Sequence, residues 1–372
     1  MGQYTISATN SPSTAGYSRG TCRDSTGKLH SVYRRSDGAN LHIYYKNSTN
    51  NGKTWGGETQ ISTGVHDYSV ACIAVDSFDN LHVAYHNVTD GNLTYRKWTL
   101  LGGWGAQQDL VSSVPAYNAI AVLDDDSILI VYSTGATNWW YWTRSEDGGA
   151  TWTAEAGQSP GASNPTNISL AADNYGYGHM VYRYGASAIQ YCRFDTGTDV
   201  WDTLYTALSG VGLYGPDIAV DAADNLLVVY SNGEIYWRTS ANQGALWVAE
   251  AIIAAWDGND KTFPGIGCDA AGVYVLVYRE VDGSAVGQIW GKTYVGAWGL
   301  DAKLTAEVAG VTVPRPTSAA YPATGMFPAG YGYTFFREDG TYVRYDNDSL
   351  PNIGGALYVP KNNINLISMG LL

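Results

Sequence analysis

The chain has 372 residues, of which 45% are hydrophobic and only 15% charged, with 44 Gly, 29 Tyr and 13 Trp. That hydrophobic share excludes a disordered chain, and no apolar run approaches the roughly 18 residues of a membrane-spanning helix. A net charge of −13 repels phosphate backbones and anionic lipid surfaces, which argues against nucleic-acid partners and membrane insertion but leaves room for a local basic pocket.

The N-terminus, Met1-Gly2-Gln3-Tyr4-Thr5-Ile6, has neither a basic region nor a long apolar core, so no secretory signal is expected and folding in the cytoplasm is. Cys22, Cys72, Cys192 and Cys268 are far apart and form no CxxC pair, which predicts buried reduced thiols rather than a zinc site or a disulfide framework. No cofactor is expected.

From residue 16 onward one unit recurs, D-x-x-G/D-x-L-x-x-x-Y. It runs from Asp24 through Gly27 and Leu29 to Tyr33, and again from Asp76 through Asp79 and Leu81 to Tyr85. Looser copies span Asp124–Tyr132, Asp173–Tyr182, Asp221–Tyr230 and Asp269–Tyr278, so the tyrosines stand 52, 47, 50, 48 and 48 residues apart. A degenerate seventh copy, Tyr333-Thr334-Phe335-Phe336, lacks the turn Asp. Tryptophan keeps the same period at Trp55, Trp104, Trp152, Trp201, Trp247 and Trp298. Segments such as Leu81–Tyr85 and Leu226–Tyr230 are short, β-branched or aromatic, and bounded by turn residues, as strands are. Four strands per fifty residues predict an all-β fold, a seven-bladed β-propeller of four-stranded antiparallel blades, with six blades the alternative. A single propeller is expected over residues 1–355, its blades starting near 16, 68, 116, 165, 214, 262 and 316. Residues 3–10 or the tail 356–372 would supply the closing strand.

Three segments between third and fourth strands share a form: Ser48-x-Asn50-x-Gly52-x-x-Trp55, Ser145-x-Asp147-x-Gly149-x-x-Trp152 and Ser240-x-Asn242-x-Gly244-x-x-Trp247. In each, Asp or Asn caps a tight turn and Gly takes the left-handed position. These resemble the Asp box of the bacterial neuraminidase repeat, which implies a sialidase-like propeller with these turns as structural elements on the face opposite any ligand site. Loops between second and third strands then form the ligand face. It would carry Arg34, Arg35, His86, Ser133, Arg183, Ser231, Arg279 and Arg337, either as an electropositive mouth or as inter-blade pairing residues.

A sialidase needs three arginines on a carboxylate, a Tyr–Glu nucleophile pair and an Asp acid–base. Tyr17-Ser-Arg19-Gly resembles the family's opening Tyr/Phe-Arg-Ile-Pro segment, with Ile-Pro absent and Arg displaced by one residue. Arg34-Arg35-Ser36-Asp37-Gly38 resembles the following Arg…Ser-Asp segment. The resemblance implies Arg19, Arg35, Asp37 and Tyr342 as the catalytic set, with Glu280 and Arg315 as further candidates. A propeller lyase would instead use a base such as His86. For binding, Trp139 and Trp140 in Trp139-Trp140-Tyr141-Trp142 would stack on sugars, or else pack between blades. Asp124-Asp125-Asp126 and Asp257-Gly-Asn-Asp260 read as turns, and no metal is expected. The expected function is a non-catalytic glycan-recognition or structural propeller. Its composition is similar to that of bacteriophage tail or virion-surface appendage proteins, with cell-surface carbohydrate and other virion proteins as partners. The alternative is a sialidase-like glycoside hydrolase or propeller lyase acting on acidic glycans.

Overall fold

A computed structural model describes residues 20–303, apart from 51, 114, 186–187, 203–205, 210–213, 269–271 and 282–286. It also describes the backbone of four terminal strands. Arg19, Arg337, Tyr342 and the tail 356–372 lie outside the described residues.

Between 21 and 303 the chain folds into six antiparallel sheets built on four main strands in chain order; in blades 2 and 4 a further two-residue strand, Gly103–Trp104 or Val200–Trp201, also pairs with the third strand. Blade 1 is Thr21–Arg23, Leu29–Ser36, Leu41–Ser48 and Thr59–Gln60; blade 2 is Tyr68–Val75, Leu81–Asn87, Asn92–Thr99 and Gln108–Val111. Blade 3 is Tyr117–Val122, Ile128–Ser133, Trp140–Ser145 and Ala156–Gln158; blade 4 is Pro165–Ala172, Tyr177–Tyr184, Ala188–Asp195 and Thr206–Ser209. Blade 5 is Tyr214–Val220, Leu226–Ser231, Ile235–Ser240 and Ala251–Ala254; blade 6 is Asp260–Cys268, Tyr274–Val281, Gly287–Tyr294 and Ala302–Lys303. The first strands of these six blades line one central cavity of about 310 Å³, walled toward the hairpin turns by small and apolar residues such as Cys22, Ala74, Ala121, Ala171, Ala219 and Gly267.

The expectation of seven blades is therefore corrected to six. The strands supplied by the two chain ends form a four-stranded sheet of another kind, ordered Gln3–Ser7, Val343–Asp346, Tyr333–Phe336, Arg315–Ala319, beside blade 6. Its Tyr333–Phe336 segment has no turn Asp before it and no Trp after it. All four cysteines are buried and free, and burial pushes the Cys72 thiol up to about 12.

The recurring tryptophan is an inter-blade wedge. Trp104 meets Tyr45 of the preceding blade edge to face at 5.1 Å, Trp152 meets Tyr95 at 4.8 Å and Trp247 meets Tyr191 at 5.0 Å. In blades 1, 2 and 4 that tyrosine completes a buried triad. His82 Nδ1 lies 2.7 Å from the Tyr95 hydroxyl and its Nε2 lies 3.1 Å from Asp76. His30 joins Tyr45 to Asp24 in the same way, and His179 joins Tyr191 to Asp173. Blade 3 replaces all three members together with Leu123, Leu129 and Trp142, so the slot is filled by an apolar set of similar bulk. Strand register thus puts Leu123, not Asp124, at the turn position of the repeat.

The hairpin turns lock onto the same slot. Gly149 N–H donates to Ser145 Oγ at 2.7 Å, while Thr151 N–H donates to Asp147 at 2.8 Å. Ser48 with Asn50, and Ser240 with Asn242, repeat the pattern. The acidic turn residues are committed as well. Asp126 accepts from Ser77 of blade 2, and Asp125 and Asp199 both pair with Arg144, whose side chain is 2% exposed. Arg144→Leu removes a buried cation shared by two carboxylates that are themselves 44% and 45% exposed, and is expected to cost about 1–2 kcal/mol in denaturant unfolding, less than a fully buried ion pair because water screens the two aspartates.

Candidate functional site

Turns between first and second, and third and fourth, strands share one end of the propeller. The upper end is built from the remaining loops. There, the residue after the repeat tyrosine is Arg34, His86, Ser133, Arg183, Ser231 and Arg279 in blades 1 to 6. Register places His86 opposite Ser69, Arg183 opposite Thr166 and Arg279 opposite Thr262. Immediately beyond each of these three pairs the first strand bulges. A non-glycine residue takes the left-handed conformation in each bulge: Val70 at φ 46°, Asn167 at 53° and Phe263 at 50°. For Val and Phe this conformation is costly, and bulges of this kind re-aim side chains beside functional sites. A basic residue and a left-handed bulge thus coincide in blades 2, 4 and 6; blade 1 also carries a basic residue, Arg34, and blade 5 also bulges beside Ser231 but without a left-handed residue.

The same rim holds buried polar atoms without a hydrogen-bond partner: His86 Nε2, Asn167 Oδ1, Ser231 Oγ and Thr262 Oγ1. The Nε1 atoms of Trp152, Trp247 and Trp298 away from the rim share this state, so it does not by itself single out the rim. Burial lowers His86 to about 4, so its imidazole is neutral at pH 7, with Nδ1 3.5 Å from Ser69 Oγ. Burial also lowers Arg34, against the attraction of Asp67. The Arg279 guanidinium lies 5.6 Å over the Phe263 ring, so the strained residue and the cation touch.

The other residues singled out by sequence are placed as follows. Arg35 pairs with Glu58 at 2.9 Å and lies 3.9 Å over the Tyr44 ring. Asp37 accepts the N–H groups of Ala39 and Asn40 in its own loop and meets His42 at 3.1 Å. Trp140 is fully buried and stacks edge to face on Trp201 at 4.7 Å; it occupies the column filled by Ile43, Leu93, Ile189, Ile235 and Ile289 in the other blades. Trp139 is 41% exposed. Glu280 pairs with Lys261 at 3.3 Å. Among the described residues, no group of three or more His, Cys, Asp or Glu side chains is placed to hold a metal.

One pattern escapes a reading built on single markers. The residue three positions after the repeat tryptophan is Glu58, Gln107, Glu155, Glu250 or Asp301. In four blades the buried repeat tyrosine donates to it: Tyr33 to Glu58, Tyr85 to Gln107 at 3.0 Å, Tyr230 to Glu250 and Tyr278 to Asp301, whereas in blade 3 Glu155 accepts from Ser113 instead. Blade 4 has Leu204 at that position, and Tyr182 turns to Gln190 at 2.7 Å instead. W-x-x-E/Q/D was visible in the sequence. It makes Tyr–Glu pairs part of the blade architecture, not a mark of a nucleophile.

No known family profile matches the chain, nor does any curated protein. Among solved structures, an ulvan lyase described as a new family of polysaccharide lyase aligns with a TM-score of 0.65 at 10% identity, covering 99% of each chain. It has also been solved bound to -[GlcA(1-4)Rha3S]-. The Aleuria aurantia lectin in complex with α-methyl-L-fucoside gives 0.51 at 14%, over 80% of this chain and 97% of the lectin. A Hadza microbial sialidase gives 0.50 at 14%, over 73% of this chain, which spans only 63% of that sialidase. The fold is a sialidase-like β-propeller. At these identities the likeness is one of architecture alone.

Proposed function

We propose that the chain is a glycan-directed propeller that engages an acidic polysaccharide at its upper rim, with the chemistry of a lyase. The observation that carries this reading is geometric: His86, Arg183 and Arg279 stand at one position of the upper rim, each opposite the residue beyond which the first strand bulges. In an acidic protein these cations suit a uronate carboxylate or a sulfate. A neutral imidazole with a free ring nitrogen can remove the proton beside a carboxylate that a cation neutralises. The electron pair forms the ring double bond, the glycosidic C–O bond breaks, and the leaving oxygen takes a proton from water. The hydrolase assignment is less well supported, because Arg35 is held by Glu58 and Asp37 by its own loop. In this reading the Ser-x-Asp/Asn-x-Gly turns are Asp boxes of the neuraminidase repeat, fastening blades on the far face.

The test is to incubate the full chain with ulvan, alginate, polygalacturonate and chondroitin sulfate. A lyase releases reducing ends together with the ultraviolet absorbance of unsaturated uronate. His86→Ala should then lower turnover about a hundredfold or more while retention on the polysaccharide persists. Reducing ends without absorbance would indicate hydrolysis, and retention without turnover a binding module. Neither retention nor turnover would overturn the glycan reading.

A further inference from the structure

Aligning blades by strand register exposes two departures confined to blade 3. The position immediately before Trp140 holds Trp139, where the equivalent residues of the other blades are His42, Asn92, Ala188, Glu234 and Gln288. No other blade places a large apolar ring there. On the adjoining fourth strand, Gly157 faces Tyr141, where the other blades carry Gln60, Asp109, Ala207, Ile252 and Lys303.

The two departures fit each other. A Cβ on residue 157 would stand 2.7 Å from Tyr141 Cδ1 and 3.3 Å from the Trp139 ring, so only glycine lets both rings lie over this strand. Trp139 stacks on Tyr141 at 6.5 Å and 23°, and Tyr141 stacks on the buried Tyr132 at 5.5 Å and 21°. The exposed indole is thus the outer member of an ordered column rooted in the core. Its loop is pinned by Asn138, whose Nδ2 donates to Ser159 Oγ at 3.2 Å and to the Gly161 carbonyl at 2.6 Å. The same loops carry Thr134, Thr137, Asn138, Ser159 and Asn164, all polar and uncharged, with hydrogen bonds between Thr134 and Thr137 and from Asn164 to the Gly135 carbonyl.

We infer that Trp139 is a sugar-stacking platform for an uncharged pyranose of the glycan, separate from the basic rim. A rigid, half-exposed indole offers a flat apolar surface to the C–H face of a sugar, and the neutral amides and hydroxyls around it suit hydroxyl groups rather than a carboxylate. This rests on the glycan reading and extends it: acidic units go to the rim of alternate blades, neutral units to blade 3.

Affinity electrophoresis in gels containing the four polysaccharides, each native and carboxyl-reduced, separates the two claims. Trp139→Ala should weaken retention of whichever carboxyl-reduced polymer the wild type binds by roughly tenfold, while Trp139→Tyr stays near wild type. Gly157→Gln, which restores the blade 1 residue, should reproduce Trp139→Ala with the fold intact by circular dichroism. Arg183→Ala should weaken only the native form. Wild-type affinity in Trp139→Ala for every bound polymer would overturn the platform and leave the rim assignment standing. Absence of wild-type retention on all eight gels would overturn both.

Discussion

Replacing Gly149 with alanine is expected to lower the melting temperature by roughly 3–8 °C, from a loss of about 2–6 kcal/mol spread over the unfolding entropy of a chain this long. Two costs add. Gly149 sits at φ 89°, a conformation that strains any residue with a Cβ. The added Cβ would also stand 2.0 Å from the Tyr95 hydroxyl. That hydroxyl cannot retreat, because Tyr95 is fully buried, holds His82 at 2.7 Å and packs on Trp152. Gly244 repeats the arrangement against Tyr191, at φ 83° and 2.1 Å, and should respond alike. Two controls separate the costs. Gly38→Ala meets nothing within 4 Å but has φ 107°, so it pays for strain alone; Gly57→Ala meets nothing and has no such φ, so it should melt with the wild type. Equal melting of all four variants would show that the turns do not clamp the neighbouring blade.

The second large effect is loss of stability in mild acid. Burial lowers His30, His82 and His179 below the ordinary value of 6.5, against the pull of their aspartates, and lowers His86 to about 4. A depressed folded-state pKa means that the unfolded chain binds these protons first, so the stability is complete above 6.5 and declines as pH falls below it. At pH 5.5 His86 alone costs about 1.4 kcal/mol, and the three triad histidines add to the loss in the same direction. A second decline follows below about 4. Burial alone would raise Asp76, but its bonds from His82 and Asn80 prevail and hold it at about 2; Asp24 and Asp173 are lowered in the same manner. Melting curves from pH 7.5 to 5 should show the first decline. Asp76→Leu, His82→Leu and Tyr95→Trp combined, which copies the apolar set of blade 3, should make the slope shallower. A flat profile, or a slope untouched by the triple variant, would show that the triads are not buried neutral histidines.

Much of this architecture was legible because it rests on residues with a single physical job. Trp104, Trp152 and Trp247 recur because each wedges against the preceding blade, and Asp24, Asp76 and Asp173 recur because each caps a turn and holds a histidine. Blade 3 misled the reading where it departs from the repeat. Three consecutive aspartates hid Leu123 as the true turn position, and the run Trp139–Trp142 hid the fact that Trp140 stands in an aliphatic column while Trp139 does not. Counting seven copies failed at Tyr333–Phe336, where strand-forming residues carry neither the turn Asp nor the following Trp. The site was less visible than the fold. His86, Arg183 and Arg279 were found from their place after the tyrosine, but the bulges beside them rest on Val70, Asn167 and Phe263, residues that do not announce a left-handed backbone.

The central claim is that ligand binds at the upper rim and not among the hairpin turns. A crystal of the full chain soaked with a uronate-containing oligosaccharide tests it directly. The account predicts sugar density against His86, Arg183 or Arg279. Density confined to the opposite end, around Asp147 and Asn242, would contradict it.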